Sequence, residues 1–84
     1  MSVEVRMMTA AGCHLCDEAH DVLEAARGEL GFDLVQVDIT GDPDLEAEYR
    51  EQIPVVYVAG RKAFKYRVDP AELRRRVAAA TSAV

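Results

Sequence analysis

The feature that most restricts the fold of this chain is the junction at Cys13-His14-Leu15-Cys16. Before it, Val3 to Met7 alternate apolar and polar residues with a period of two, which predicts a β-strand. After it, apolar residues recur every three or four positions from Cys13 to Arg27, which predicts an amphipathic helix. A strand that leads directly into a helix predicts the first half of a β-α-β unit, and a Cys-x-x-Cys pair at the start of the helix in such a unit is a signal of redox chemistry.

Two further elements are predicted after the first helix. Gly28 and Gly31 each offer an end to that helix, because glycine readily adopts the conformation of a helix C-cap. Phe32 to Ile39 alternate again and predict a second strand. Asp42 is suited to cap a short helix that has proline at its first position and runs to about residue 51.

The last third of the chain predicts two strands and a helix. Val55 to Val58 form an unbroken β-favouring run, which is typical of a strand buried on both faces. The alternation over Phe64 to Val68, with lysine and arginine between the apolar residues, predicts an edge strand. Asp69 then caps a helix that begins at Pro70 and ends near Ala80.

The predicted order is therefore β-α-β-α-β-β-α in one domain that spans residues 1–84. A β-α-β unit joins parallel strands through a right-handed crossover, whereas a tight turn joins the last two strands as an antiparallel pair. The simplest packing is an α/β fold with a mixed four-stranded sheet and helices on both of its faces.

Composition excludes several classes of function. The chain has 15 acidic and 10 basic residues, and this acidic balance argues against nucleic acid as a partner. The longest apolar run, Val55 to Ala59, is far shorter than the ~20 residues that span a bilayer, so no membrane partner is expected. Glu4 and Arg6 interrupt any apolar core of a secretory signal. The expected location is the cytoplasm, where paired cysteines are more often catalytic or metal-binding than structural.

The position of the two cysteines predicts thiol chemistry. A helix N-terminus carries unpaired N–H groups and a partial positive charge, which stabilise a thiolate at Cys13. The thiolate is the form that attacks a disulfide. Cys16 lies one helical turn further on, beside Cys13, and is expected to be more buried and to keep its proton until needed. A protonated His14 would add to the stabilisation of the thiolate; the alternative is an exposed side chain without a specific role.

These residues resemble the glutaredoxin-like branch of the thioredoxin fold. The resemblance is carried by Thr9-Ala10-Ala11-Gly12, by Cys13-His14-Leu15-Cys16 and by Ile53-Pro54-Val55-Val56, and the order of elements extends it over nearly the whole chain. It implies a thiol–disulfide oxidoreductase. It also implies a cis peptide bond at Ile53–Pro54, which would present the backbone N–H and C=O of Ile53 to an extended substrate chain.

The chain also departs from well-studied glutaredoxins. Well-studied glutaredoxins share Pro and Tyr between their two cysteines, whereas this chain has His14 and Leu15. In addition, no Gly-Gly pair precedes its last helix. Asp69 can occupy the acidic position that helps to hold glutathione in that family, although its neighbours differ. The substrate-binding residues implied by the resemblance and by their place in the motif are His14, Leu15, Ile53, Pro54 and Asp69.

We therefore expect Cys13 and Cys16 to be the catalytic residues of a monomer that has no resident cofactor or metal. The expected partners are a disulfide-containing protein or small-thiol disulfide as substrate, and glutathione, another low-molecular-weight thiol or a reductase as electron donor. Two alternatives stay open. One is an iron–sulfur or metal-binding module, for which His14 and His20 add further ligand atoms to the two cysteines. The other is a redox-silent scaffold that binds a partner through its Ile53–Pro54 face.

Overall fold

The structure, a computed structural model, describes residues 3–82 and has the predicted β-α-β-α-β-β-α order. No helix in this part of the chain is long and apolar enough to cross a membrane. The strands are β1 (Glu4–Thr9), β2 (Asp33–Asp38), β3 (Val55–Val58) and β4 (Arg61–Lys65), and the helices are α1 (His14–Leu30), α2 (Pro43–Tyr49) and α3 (Pro70–Ser82).

The four strands form one mixed sheet in the order β2-β1-β3-β4. β1 pairs with β2 in parallel, as the crossover through α1 requires, and β3 is antiparallel to both β1 and β4. The two central strands are the most deeply buried, with Val5, Val55 and Val56 fully inaccessible to solvent. The predicted α/β fold with a mixed four-stranded sheet and three helices is therefore confirmed.

Helices cover both faces of this sheet, and they do so unequally. α1 and α3 lie on one face, where alternate residues of the central strands meet Leu23 of α1 and Leu73 of α3 in the larger core cluster. α2 lies on the other face, where Tyr49 closes a smaller cluster with Met8, Ile39 and Val55. The period-two alternation of β1 produces this division, because neighbouring residues of a strand point to opposite faces.

The boundaries of β4, α2 and α3 differ from the predictions, and the structure decides between the two predicted ends of α1. β4 begins at Arg61 and ends at Lys65, because Tyr66 has a φ of 71° and turns the chain out of the strand. α1 continues through Gly28 to Leu30, and the second of the two predicted ends, Gly31, is its C-cap, where a φ of 76° lets the Gly31 N–H donate to the Arg27 carbonyl. α3 extends to Ser82, whereas α2 stops at Tyr49, short of the predicted end near residue 51.

Candidate active site

Cys13 is the N-cap residue of α1. A turn at Gly12, with a φ of 77°, delivers the chain to Cys13 in an extended conformation. The Cys13 Sγ accepts a hydrogen bond from the backbone N–H of Cys16 at 3.1 Å. Sulfur thus takes the place that a serine or aspartate oxygen usually occupies at a helix N-terminus. A half-exposed sulfur that accepts an N–H bond at the positive end of a helix is in the arrangement that stabilises a thiolate.

Cys16 lies beneath Cys13 and is only 2% exposed. Burial raises the pKa of the Cys16 thiol above its ordinary value, and a hydrogen bond with the Cys13 side chain adds to this increase. Hydrogen bonds from the Thr9 side chain and the Ala10 backbone act in the opposite direction on the same pKa without reversing it. Both cysteines are free thiols in this structure. The Cys13 sulfur is therefore accessible at the helix N-terminus, whereas the Cys16 sulfur is buried and has a raised pKa. This difference would suit Cys13 to attack a disulfide and Cys16 to resolve the product.

The Ile53–Pro54 peptide bond is cis, as the family resemblance implied. Met8 of β1 pairs with Val55 of β3 in antiparallel register, which places Pro54 beside Thr9. The segment therefore lies at the end of the central strands from which the cysteine loop leaves. Pro54 is fully buried there and Ile53 is half-buried.

The backbone of Ile53 differs from the expectation in one respect. Its N–H donates to the Tyr49 carbonyl at 3.1 Å, because the backbone continues the helical turn beyond the end of α2. The expectation that the cis bond would present both the N–H and the C=O of Ile53 was therefore wrong for the N–H. Within residues 3–82 no hydrogen bond reaches the Ile53 carbonyl oxygen, which leaves this oxygen as an acceptor.

The other predicted binding residues occupy separate positions. His14 is exposed in the first turn of α1, and Leu15 is half-buried beside it. Asp69 is exposed and acts as a cap, since its Oδ1 accepts the N–H of Ala71 at 3.2 Å and its carbonyl accepts the N–H of Leu73. The structure thus gives Asp69 a local role at the start of α3.

A groove of about 310 Å³ runs from Leu15 along α1 and is closed by the segment between β4 and α3. Tyr66 and Val68 supply the wall opposite α1, and Arg67 approaches Glu18 to 4.0 Å at the rim. Sequence reasoning missed Tyr66 and Arg67 as neighbours of the site, because the alternation of this segment placed both in a strand. No sequence signal marks a tyrosine that turns the chain in this way.

His20 does not join the cysteines in a cluster. Its Nε2 lies 3.8 Å from the Glu24 Oε1, one turn along the same helix. Among the residues that the structure describes, no group of three or more His, Cys, Asp or Glu side chains is placed to hold a metal ion.

Comparison with known proteins agrees with this fold. A structural-genomics target protein from X. campestris superposes with a TM-score of 0.75 at 30% identity, over 89% of this chain and 96% of that chain. A protein from Nitrosomonas europaea gives a TM-score of 0.77 at 22% identity, over 92% and 93% of the two chains. Thioredoxin from Fasciola hepatica gives 0.61 at 18% identity, over 93% and 80%, which shows a shared fold.

Sequence comparison identifies the family. An uncharacterised protein of Mycobacterium tuberculosis is 36% identical over 83 residues, which cover 93% of this chain and 86% of that relative. The family described as "Glutaredoxin-like domain (DUF836)" matches residues 4–78. The chain therefore has the fold of thioredoxins and belongs to the glutaredoxin-like domain family (DUF836).

Proposed function

We propose that this protein is a thiol–disulfide oxidoreductase in which Cys13 attacks and Cys16 resolves. One observation carries the proposal: the Cys13 Sγ caps α1 and accepts the Cys16 N–H at 3.1 Å, directly above a buried second thiol. A thiolate is the attacking species in disulfide exchange, and a helix N-terminus favours it. The buried Cys16, whose pKa is raised, is protected from direct attack by solutes and stays protonated in the resting protein.

The reaction consists of two exchanges. The Cys13 thiolate attacks one sulfur of a substrate disulfide, which forms a mixed disulfide and releases the other half of the substrate as a thiolate. Cys16 then loses its proton and attacks the Cys13 sulfur, and the remaining half of the substrate leaves as a thiol. The substrate is reduced by two electrons, and the protein is left with a Cys13–Cys16 disulfide. Glutathione, another low-molecular-weight thiol or a reductase would restore the dithiol.

Substrate binding is proposed for the surface around this pair. The Ile53 carbonyl can accept one hydrogen bond from an extended chain, and Pro54 supports it from within the core. His14 and Leu15 flank the attacking sulfur on α1, whereas Asp69 could offer a substrate only the carboxylate oxygen that does not cap α3. We propose that the protein acts as a monomer on a protein or small-thiol disulfide in the cytoplasm, a compartment that keeps thiols reduced.

Two serine variants test this assignment. Cys13→Ser should abolish reduction of a small disulfide such as bis(2-hydroxyethyl) disulfide, because the attacking sulfur is gone. Cys16→Ser should instead accumulate a mixed disulfide on Cys13, visible by mass spectrometry as one added half of the substrate. Reduction at the native rate by Cys13→Ser contradicts the assignment. A reduced wild-type protein that leaves the disulfide intact would favour the redox-silent scaffold.

A further inference from the structure

Tyr66 has a backbone conformation that a bulky side chain normally disfavours. Its φ is 71°, and the N–H of Arg67 donates to the Lys65 carbonyl at 2.9 Å, which closes a three-residue turn around Tyr66. A γ-turn with a positive φ at its centre is rare and strained, and a bulky residue there is an outlier. Such outliers persist where surrounding contacts hold them, and they concentrate at functional sites.

Two hydrogen bonds hold Tyr66 in this position. Its backbone N–H donates to the Pro54 carbonyl at 2.9 Å, and its hydroxyl donates to the Glu51 carbonyl, also at 2.9 Å. The two acceptors lie on either side of Ile53, so Tyr66 is bonded to both ends of the segment that contains it. Tyr66 as a whole is 43% exposed, so these hydrogen bonds hold a residue that is not part of the buried core.

The bond to Glu51 attaches Tyr66 to a loop that other contacts hold at different points. Glu51 is exposed and follows the end of α2, and the neighbouring Gln52 and Ile53 are held through N–H bonds to the Tyr49 carbonyl. These two bonds involve N–H groups and do not hold the Ile53 carbonyl itself. Tyr66 is hydrogen-bonded to the Glu51 and Pro54 carbonyls, one before and one after Ile53 in the chain, and so restricts how the Ile53 carbonyl can turn.

We propose that Tyr66 is a positioning residue for thiol–disulfide exchange. Its two hydrogen bonds hold the Ile53 carbonyl oxygen where it can accept a hydrogen bond from a backbone N–H of an extended substrate chain. This inference rests on the proposed function and adds a distinction between substrates. A peptide disulfide has a backbone N–H to give to Ile53, whereas a small disulfide without peptide groups has none. Tyr66 therefore acts on the binding of peptide disulfides and leaves the sulfur chemistry unchanged.

Tyr66→Phe is the sharpest variant, because it removes the hydroxyl and keeps the ring and the backbone. Reduced protein would be mixed with excess substrate, and the rate of its oxidation measured against substrate concentration for a peptide disulfide and for bis(2-hydroxyethyl) disulfide. For the peptide, we expect the half-saturating concentration to rise about three- to tenfold, the range of one hydrogen bond, with a maximal rate within twofold of wild type. For the small disulfide, the rate should stay within twofold of wild type.

Tyr66→Gly provides a second test that separates positioning from stability. Glycine relieves the positive φ, yet it removes both the ring and the hydroxyl. We expect it to weaken peptide binding at least as much as Tyr66→Phe does, even if the folded state is equally stable or more stable. Equal losses on both substrates, or no loss on the peptide in either variant, would overturn the inference. A wild-type protein that reduces neither disulfide contradicts the proposed function instead, and the inference with it.

Discussion

At the scale of single residues, the two cysteines differ because the helix gives them different surroundings. The Cys13 sulfur lies outside the first turn of α1, where it can meet both solvent and backbone N–H groups. The Cys16 sulfur lies on the inner side of the same turn, where burial disfavours its charged form. One helical turn thus separates an accessible sulfur from a protected one. The proposed two-step exchange requires this difference, because one sulfur must meet the substrate first and the other must react only afterwards.

This difference predicts selective alkylation. In the native reduced protein near pH 8, iodoacetamide should modify Cys13 and spare Cys16, because the Cys16 thiol is buried and its pKa is raised above its ordinary value. In Cys13→Ser, alkylation of Cys16 should still need a higher pH than alkylation of an ordinary cysteine, because burial, the largest cause of the raised pKa, remains. Mass spectrometry of digested protein measures both sites, and unfolded protein, in which both cysteines react, is the control. Equal rates in the native protein would contradict the assignment.

A second residue-scale prediction concerns two phenols, Tyr49 at the end of α2 and Tyr57 of β3. The Tyr49 and Tyr57 hydroxyls share a hydrogen bond of 2.8 Å, which together with burial raises the pKa of Tyr49 to about 12. A raised pKa means that folding favours the neutral phenol, so this contribution to stability is complete below pH 10 and is lost between about pH 10 and 12. Ultraviolet absorbance of phenolate should show that Tyr49 ionises late, near pH 12.

Two variants check that late ionisation. Tyr57→Phe removes the hydrogen bond that is the largest cause of the shift, so Tyr49 should ionise closer to pH 10. Tyr66→Phe leaves the Tyr49–Tyr57 pair intact and should retain the late step. A late step that survives in Tyr57→Phe would show that another contact holds the Tyr49 proton.

At the scale of elements, two glycines near the C-terminal end of α1 can be compared by the same substitution. Gly28 lies inside the helix, whereas Gly31 is the C-cap with a φ of 76°, and a Cβ at either position would meet nothing within 4 Å. Gly28→Ala should therefore stabilise the protein by about 0.5–1 kcal/mol, since alanine is the better helix former. Gly31→Ala should destabilise it by about 1 kcal/mol, since alanine resists a positive φ. Urea unfolding of both variants measures the difference, and equal signs would contradict it.

The elements also show which features sequence patterns can predict. Periodicity and capping predicted α2, β3 and the start of α3, because Asp42, Asp69 and the run Val55–Val58 act through neighbours a few residues away. The Cys13–Cys16 arrangement was predictable for the same reason, since one helical turn determines it. Local patterns account for local geometry.

Features that depend on distant contacts were not predictable. Tyr66 continues the alternation of a strand, yet hydrogen bonds to Glu51 and Pro54, more than ten residues earlier in the chain, accompany its turn out of β4. The Ile53 N–H was expected to face a substrate, and it is engaged by the end of α2, whose extent the capping signals did not set. The groove beside Leu15 was missed because its far wall comes from that same segment.

At the scale of the whole molecule, the larger core cluster connects stability to the site. It joins α1 and α3 to the central strands, and the helix it holds against the sheet is the one whose N-terminus contains both cysteines. A chain of this length has a free energy of unfolding of roughly 4–13 kcal/mol, so one core side chain can contribute a large fraction of it. The attachment to the sheet of α1, the helix that begins with both cysteines, therefore depends on apolar contacts made further along that helix.

Two leucines of α1 test this dependence. Leu23 is fully buried in the larger cluster, whereas Leu30, in the last turn of the helix, is 36% exposed. Leu23→Ala should lower the free energy of urea unfolding by about 2–5 kcal/mol, through lost burial and the cavity left behind, and Leu30→Ala by about 0.5 kcal/mol or less. Because the two variants change the same side chain in the same helix, helix propensity alone would give equal losses. Equal losses would mean that the burial of Leu23 in the larger cluster does not hold α1 on the sheet; the expected difference shows that it does.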